Sequence, residues 1–142
     1  MINAITIGIS RELGKEFGKR YKVHKESIEQ GLKEPCFFIN CLNPTTKLFR
    51  GTKYFRTNQF CIQYFPESKK EINTECNDVA ERLTWCLEYI TADGDQMRGT
   101  QMHYEIVDGV LNFFVNYDCF VYRVSEQDTP MGNVNVTQEL KG

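Results

Sequence analysis

The 142-residue chain has no run approaching the roughly 18 consecutive apolar residues that a membrane helix needs. Its opening, Met1-Ile2-Asn3-Ala4, reaches charge at Arg11-Glu12 without a basic stretch or a cleavage site, so no signal peptide is expected. Neither sign of charge is in excess. Seventeen Lys and Arg stand against 19 Asp and Glu, a formal net charge of −2, which excludes a generic phosphate-binding surface. No CxxC pair occurs, and histidine is scarce, with only His24 and His103, far apart in sequence. The six cysteines (Cys36, Cys41, Cys61, Cys76, Cys86 and Cys119) therefore lack both zinc-ligand and disulfide-framework spacing. Most sit at apolar positions, where a free thiol behaves as a small hydrophobe, and this points to reduced, buried thiols in a cytosolic setting. Phosphate-cradling glycine loops are missing too, since Gly94 is isolated.

Catalytic patterns are equally thin. A nucleophile needs a positioned base, and neither His24, near a strand, nor His103, on the polar face of a hairpin, lies beside a glycine-rich elbow. The carboxylates Glu71, Glu75, Asp78 and Glu81 are spread as on a solvated helix face and do not form a glycosidase-like pair. The residues thus predict a chain that is no enzyme, with no catalytic, cofactor-binding or metal-ligating residue and no cofactor.

What is present is a folding pattern. The length suits one domain able to bury about two-thirds of its unfolded surface without metals or disulfides. Hydrophobic residues at 41% and charged ones at 25% are ordinary globular usage, which rules out a largely disordered chain. Aromatics fall mostly in strand-like runs, so a sheet is expected to carry the core. Ile2, Ile5, Ile9, Leu13 and Phe17 make one helical stripe, ended by Gly18. Residues 20–25 read as a short strand, and a Gln30-Gly31 turn follows. A second strand runs from Cys36 to about Leu42 and is broken by Asn43-Pro44-Thr45-Thr46, with Lys47–Arg50 as a small extension. A third runs from about Tyr54 to Phe65 and stops at Pro66.

A second helix is predicted over the stripe Ile72, Cys76, Val79, Leu83, Leu87 and Ile90, with Ser68 as N-cap and Glu71 three residues on. Thr91–Asp95 closes it, and Trp85 lies at the stripe's edge, as core rim or contact surface. Beyond Gly99, alternating residues flank Asp108-Gly109, the signature of a type I′ hairpin. The returning strand, Leu111 to Val124, is apolar on one face and carries Phe114, Phe120 and Tyr122 on the other, more aromatic surface than a solvated face usually shows. The division is a single α+β domain over 1–124 and a polar tail over 125–142, loose or paired with a neighbouring subunit. The tail's apolar anchors, Met131, Val134, Val136 and Leu140, are too few to order it alone. The element order predicts an α+β fold, a mostly antiparallel sheet with both helices packed on one face.

One cluster of charge stands out. Arg50, Lys53 and Arg56 alternate with Tyr54 and Phe55 around Gly51, a basic, aromatic hairpin tip. It reads either as a solubilising loop or as a contact with a protein ring or with DNA passing through one, where Arg and aromatic side chains carry interface energy.

The amphipathic first helix, the segment Gln30-Gly31 through Pro35-Cys36-Phe37-Phe38-Ile39, the strand Phe60–Pro66, the helix Val79–Ile90 and the hairpin Asp108–Phe113 together resemble the tail-terminator (tail-completion) proteins of long-tailed bacteriophages and prophages. The resemblance spans nearly the whole chain. It implies a structural virion protein that forms a ring, usually hexameric, on the tail tube protein, ends tube polymerisation and meets the head–tail connector protein. DNA is then only cargo passing through, no membrane is involved, and the place is the virion tail after assembly in the bacterial cytoplasm. Our candidate interface residues, assigned from this chain's own pattern, are Arg50, Lys53, Tyr54, Arg56, Phe114, Phe120 and Tyr122. Two other readings stay open: a phage head-completion or connector protein, and a small ligand-binding α+β domain.

Overall fold

The computed structural model describes residues 1–26, 31–125 and 134–140, with Ser125 and the last segment by backbone alone. Gln30 of the expected Gln30-Gly31 turn lies outside the described residues, as do 126–133 and 141–142 of the tail.

The first helix, α1 (Ile2–Phe17), buries the expected stripe of Ile5, Ile9, Leu13 and Phe17. It ends where Gly18 takes φ +85°, a conformation a side chain would oppose, and donates its N–H to the Gly14 carbonyl at 3.0 Å. A short strand, β1 (Lys22–His24), runs parallel to the start of β2 (Cys36–Arg50). The break expected at Asn43–Thr46 does not occur. The strand runs on through a register shift between Leu42 and Thr45, with Asn43 at φ +43°. A bulge absorbs Pro44, which has no N–H to give, without ending the pairing. The chain then turns at Gly51-Thr52 into β3 (Lys53–Phe65), antiparallel to β2.

The second helix, α2 (Ile72–Cys86), is shorter than its stripe predicts. Leu87 caps it and Ile90 lies beyond it, yet both are fully buried. The chain leaves the helix without leaving the core, so periodic burial outlasts the helix that it suggested. Thr91–Asp95 is likewise no helix closure. It belongs to a hairpin of β4 (Tyr89–Ala92) and β5 (Asp95–Arg98), turned by Asp93 and Gly94 at φ +51° and +81°. Ser68 stands three residues ahead of the actual cap position, Glu71, and its Oγ accepts the Glu71 N–H at 2.9 Å.

Two further strands, β6 (Thr100–Val107) and β7 (Val110–Asn116), form the predicted hairpin, with Asp108 and Gly109 at φ +51° and +74°. The strand expected as one piece from Leu111 to Val124 is interrupted at Tyr117-Asp118, and β8 (Cys119–Ser125) follows. The interruption is chemical and not a change of register. Asn58 donates its backbone N–H to Asp118 Oδ1 at 3.0 Å, while Gln59 opposite Asn116 and Arg56 opposite Cys119 keep the same pairing on either side. Leu111, Phe113, Val115, Tyr117, Cys119 and Val121 accordingly stay buried in unbroken alternation. From the tail, β9 (Val134–Leu140) pairs antiparallel with β8 of the same chain.

The sheet runs β1-β2-β3-β7-β6, with β8 beside the other half of β3 and β9 beside β8. Among the described residues the fold is α+β, mostly antiparallel, as the element order predicts. Both helices pack on one face, α1 against β1, β2 and β4, and α2 against β6 and β7. The core lies between, around Phe37, Ile39, Phe60, Ile62, Tyr64 and Phe113.

A carboxylate ties the start of α2 to this core. Glu75 accepts the Tyr64 hydroxyl at 2.6 Å and the backbone N–H groups of Glu67 and Ser68 at 2.8 and 2.9 Å. Burial pushes the Glu75 carboxyl up, but these three hydrogen bonds and the Arg20 charge outweigh it and hold the group below its ordinary value. A depressed carboxylate contributes stability above its unfolded value, about 4.3, and loses it as pH falls through the folded one. Glu75→Gln should therefore destabilise the protein at pH 7, by a margin that narrows as pH falls below the unfolded value of about 4.3. Urea unfolding at pH 7 and below that value checks this, and an equal loss at both would remove Glu75's charge from the account.

Candidate assembly interface

The β2–β3 hairpin extends beyond the helices, and all eight residues from Asn43 to Arg50 are exposed. Along a strand, side chains alternate between faces. Lys53 and Phe55 thus share one face of β3, and Tyr54 and Arg56 share the other. Residues directly opposite in an antiparallel pair share a face as well. Tyr122 is opposite Lys53 and Phe120 opposite Phe55, which brings Lys53, Phe120 and Tyr122 together on the face the helices leave open.

The geometry there is a cation held among rings. Lys53 Nζ lies 4.3 Å from the Phe120 ring centre, 5.4 Å from Tyr122 and 5.8 Å from Phe49, within the roughly 6 Å over which a ring's negative face attracts an ammonium. Phe120 meets Phe49 edge-on at 5.1 Å and Phe55 at 5.0 Å. Phe49 remains 61% exposed.

The seven sequence candidates therefore fall into separate groups. Lys53, Phe120 and Tyr122 converge, and Arg50 adjoins them, exposed and opposite Lys53 at the hairpin end. Tyr54 and Arg56 lie on the reverse face, opposite Val121 and Cys119, with Tyr54 packed against the core. Phe114 is on the open face but opposite Cys61, six residues along β3 from Phe55, or about 20 Å at strand rise. There it stacks on His103 at 4.7 Å and 14°. Phe55, named in the hairpin tip but not among the seven, and Phe49, not named as a candidate, also belong to the group of rings around Phe120. Phe55 was legible from parity with Lys53; Phe49, beside the second register shift of β2, was not.

Between the two aromatic groups lies a groove of about 690 Å³ lined by Phe55, Thr57 and Gln59 of β3, Asn116 of β7, Gln101 of β6, Asp118 at the interruption and Arg98 of β5. Its walls are mostly amides and hydroxyls, groups that form hydrogen bonds with another surface. The possible nucleophiles are disposed otherwise. None of the six cysteines forms a disulfide among the described residues, and burial pushes the thiols of Cys36 and Cys61 up to about 11 and that of Cys86 to about 12, which keeps them protonated at neutral pH. The His24 ring packs on Phe38 at 4.8 Å, as His103 does on Phe114. Among the described residues no group of three or more His, Cys, Asp or Glu is placed to hold a metal, and no helix is long and apolar enough to cross a membrane.

A search of curated proteins gives no match. A family model described as phage tail terminator protein matches residues 4–129, which takes in α1 from Ala4 onward, α2 and β1 to β8. The chain belongs to the phage tail terminator family.

Proposed function

We propose that this structural protein of phage tail completion acts as a ring, hexameric in the usual form, which caps the tail tube, ends its polymerisation and presents a surface to the head–tail connector, with DNA passing through only as cargo. Assembly in the host cytoplasm and residence in the virion tail follow from that role. The observation that carries the reading is the open face of the sheet. Helices cover one side, while the other gathers Phe49, Phe55, Phe120 and Tyr122 around Lys53 beside a polar groove. Aromatic anchors beside hydrogen-bonding rims are the usual make-up of a protein contact.

The test is tube growth. Tail-tube protein polymerising in the presence of the full chain should stop at short, capped tubes, and light scattering should show rings at tube ends or at high protein concentration. Phe120→Glu replaces one ring by a charge among the other three and should abolish both effects while circular dichroism stays unchanged. Deleting 126–142 strips β8 of its pairing partner and should weaken assembly. Tubes that lengthen regardless, with the unmutated chain monomeric throughout, would sink the reading.

A further inference from the structure

A ring built from identical subunits needs two different, complementary surfaces on each. Two edges of the sheet are unlike, a third being formed by β9 beside β8. At one, β1 covers only Cys36–Phe38, so Asn43–Arg50 of β2 has β3 on one side and no described strand on the other. At another, β6 pairs among the described residues with β7 alone.

The edges differ in sign. The β2 segment carries Lys47 and Arg50 and no acid. On the β6 side stands Glu105, and α2 is packed against that strand through Tyr104, whose hydroxyl donates to Asn77 Oδ1 at 2.9 Å. Glu81 lies one turn on from Asn77, on the same helix face. The ion pairs among the described residues are formed by side chains other than these four. Both edges also expose apolar surface. Leu48 and Phe49 are 62% and 61% exposed on one, and Tyr104 and Val107 are 43% and 47% exposed on the other.

We propose that the occupant of the basic β2 edge is a second copy of this chain, which docks by its β6–α2 edge, with Lys47 and Arg50 facing Glu81 and Glu105. This rests on the ring reading above. A copy meeting the basic edge with its own basic edge would oppose like charges, so the contact is head-to-tail. Pro44 and the bulge spoil the regular backbone ladder of β2, and the joint is therefore made by side chains and not by strand addition.

Charge reversal tests it on the full chain by sedimentation, with and without tube ends. Lys47→Glu with Arg50→Glu should weaken assembly at least about tenfold, and so should Glu81→Lys with Glu105→Lys. All four substitutions in one chain should restore rings. An equimolar mixture of the two double variants makes native and charge-swapped joints in alternation and should give mixed rings, a result that needs no quadruple variant to fold. Either double variant assembling alone like the unmutated chain, or a mixture that assembles no better than its parts, overturns the proposal while leaving the ring itself standing. A basic-edge variant that forms rings yet no longer binds tube ends would assign that edge to the tube and overturn it as well. An unmutated chain that never assembles removes both readings.

Discussion

Truncating Leu83 to alanine should lower the unfolding free energy by about 2–5 kcal/mol. The side chain is fully buried in α2, among Cys76, Val79 and Ala80, on the helix side that packs against β7 and β6. Its removal forfeits the burial and leaves a void that a close-packed core fills only in part. Leu87→Ala belongs in the same range although Leu87 is past the last helical turn. It too is fully buried, and its carbonyl accepts the buried Tyr117 hydroxyl at 2.6 Å, which fixes the backbone there and limits relaxation. Urea unfolding measures both. A loss below about 0.5 kcal/mol at each site would place the stripe against solvent and refute the packing of α2.

Alanine at Gly8 and alanine at Gly14 should move stability in opposite directions, although both sit in α1. A Cβ at Gly8 would lie 2.5 Å from the Thr91 carbonyl oxygen and 3.3 Å from its carbon, both backbone atoms of β4 that cannot swing aside. The helix must lift from the hairpin, and overpacking of this kind costs about 1–3 kcal/mol, more than the roughly 1 kcal/mol of helix propensity that alanine adds. Gly8→Val should be worse than Gly8→Ala, having both the clash and a branched side chain. At Gly14 a Cβ meets nothing within 4 Å, so Gly14→Ala should stabilise by about 0.5–1 kcal/mol. Thermal unfolding of the two alanine variants reads the signs directly. Equal signs would mean that α1 does not sit on β4 as described.

Particular residues show why some of this was legible in the sequence and some was not. Asp108-Gly109 was read as a hairpin because long alternating runs flank it. Asp93-Gly94 has the same turn chemistry, yet its flanks, Tyr89–Ala92 and Asp95–Arg98, bury only Ile90 and Ala92 on one side and Met97 on the other. Periodicity reports burial and not the element that buries, so Leu87 and Ile90 extended a helix that stops at Cys86. Proline and asparagine at 43–44 forbid regular pairing at one step, but a bulge lets β2 resume beyond it. In the candidate interface, Lys53, Phe120 and Tyr122 do converge. Tyr54 and Arg56 could not join them, because neighbours on a strand point opposite ways. Which ring lies over Lys53 depends on cross-strand register, set by pairings more than sixty residues apart, and no local pattern encodes that.

One strand, β3, passes through two environments. From Gln59 to Tyr64 it is flanked by β2 and β7, with Phe60, Ile62 and Tyr64 sealed in the core, while from Lys53 to Arg56 it is flanked by β2 and β8 in the arm, where its side chains are only half covered. Amide hydrogens along this one strand should therefore fall into two exchange classes. Those in the inner half are expected to trade with solvent only when the whole domain unfolds, and those in the outer half when the hairpin end alone opens. The tip of the proposed assembly surface would then reshape itself while the frame that aims it stays closed.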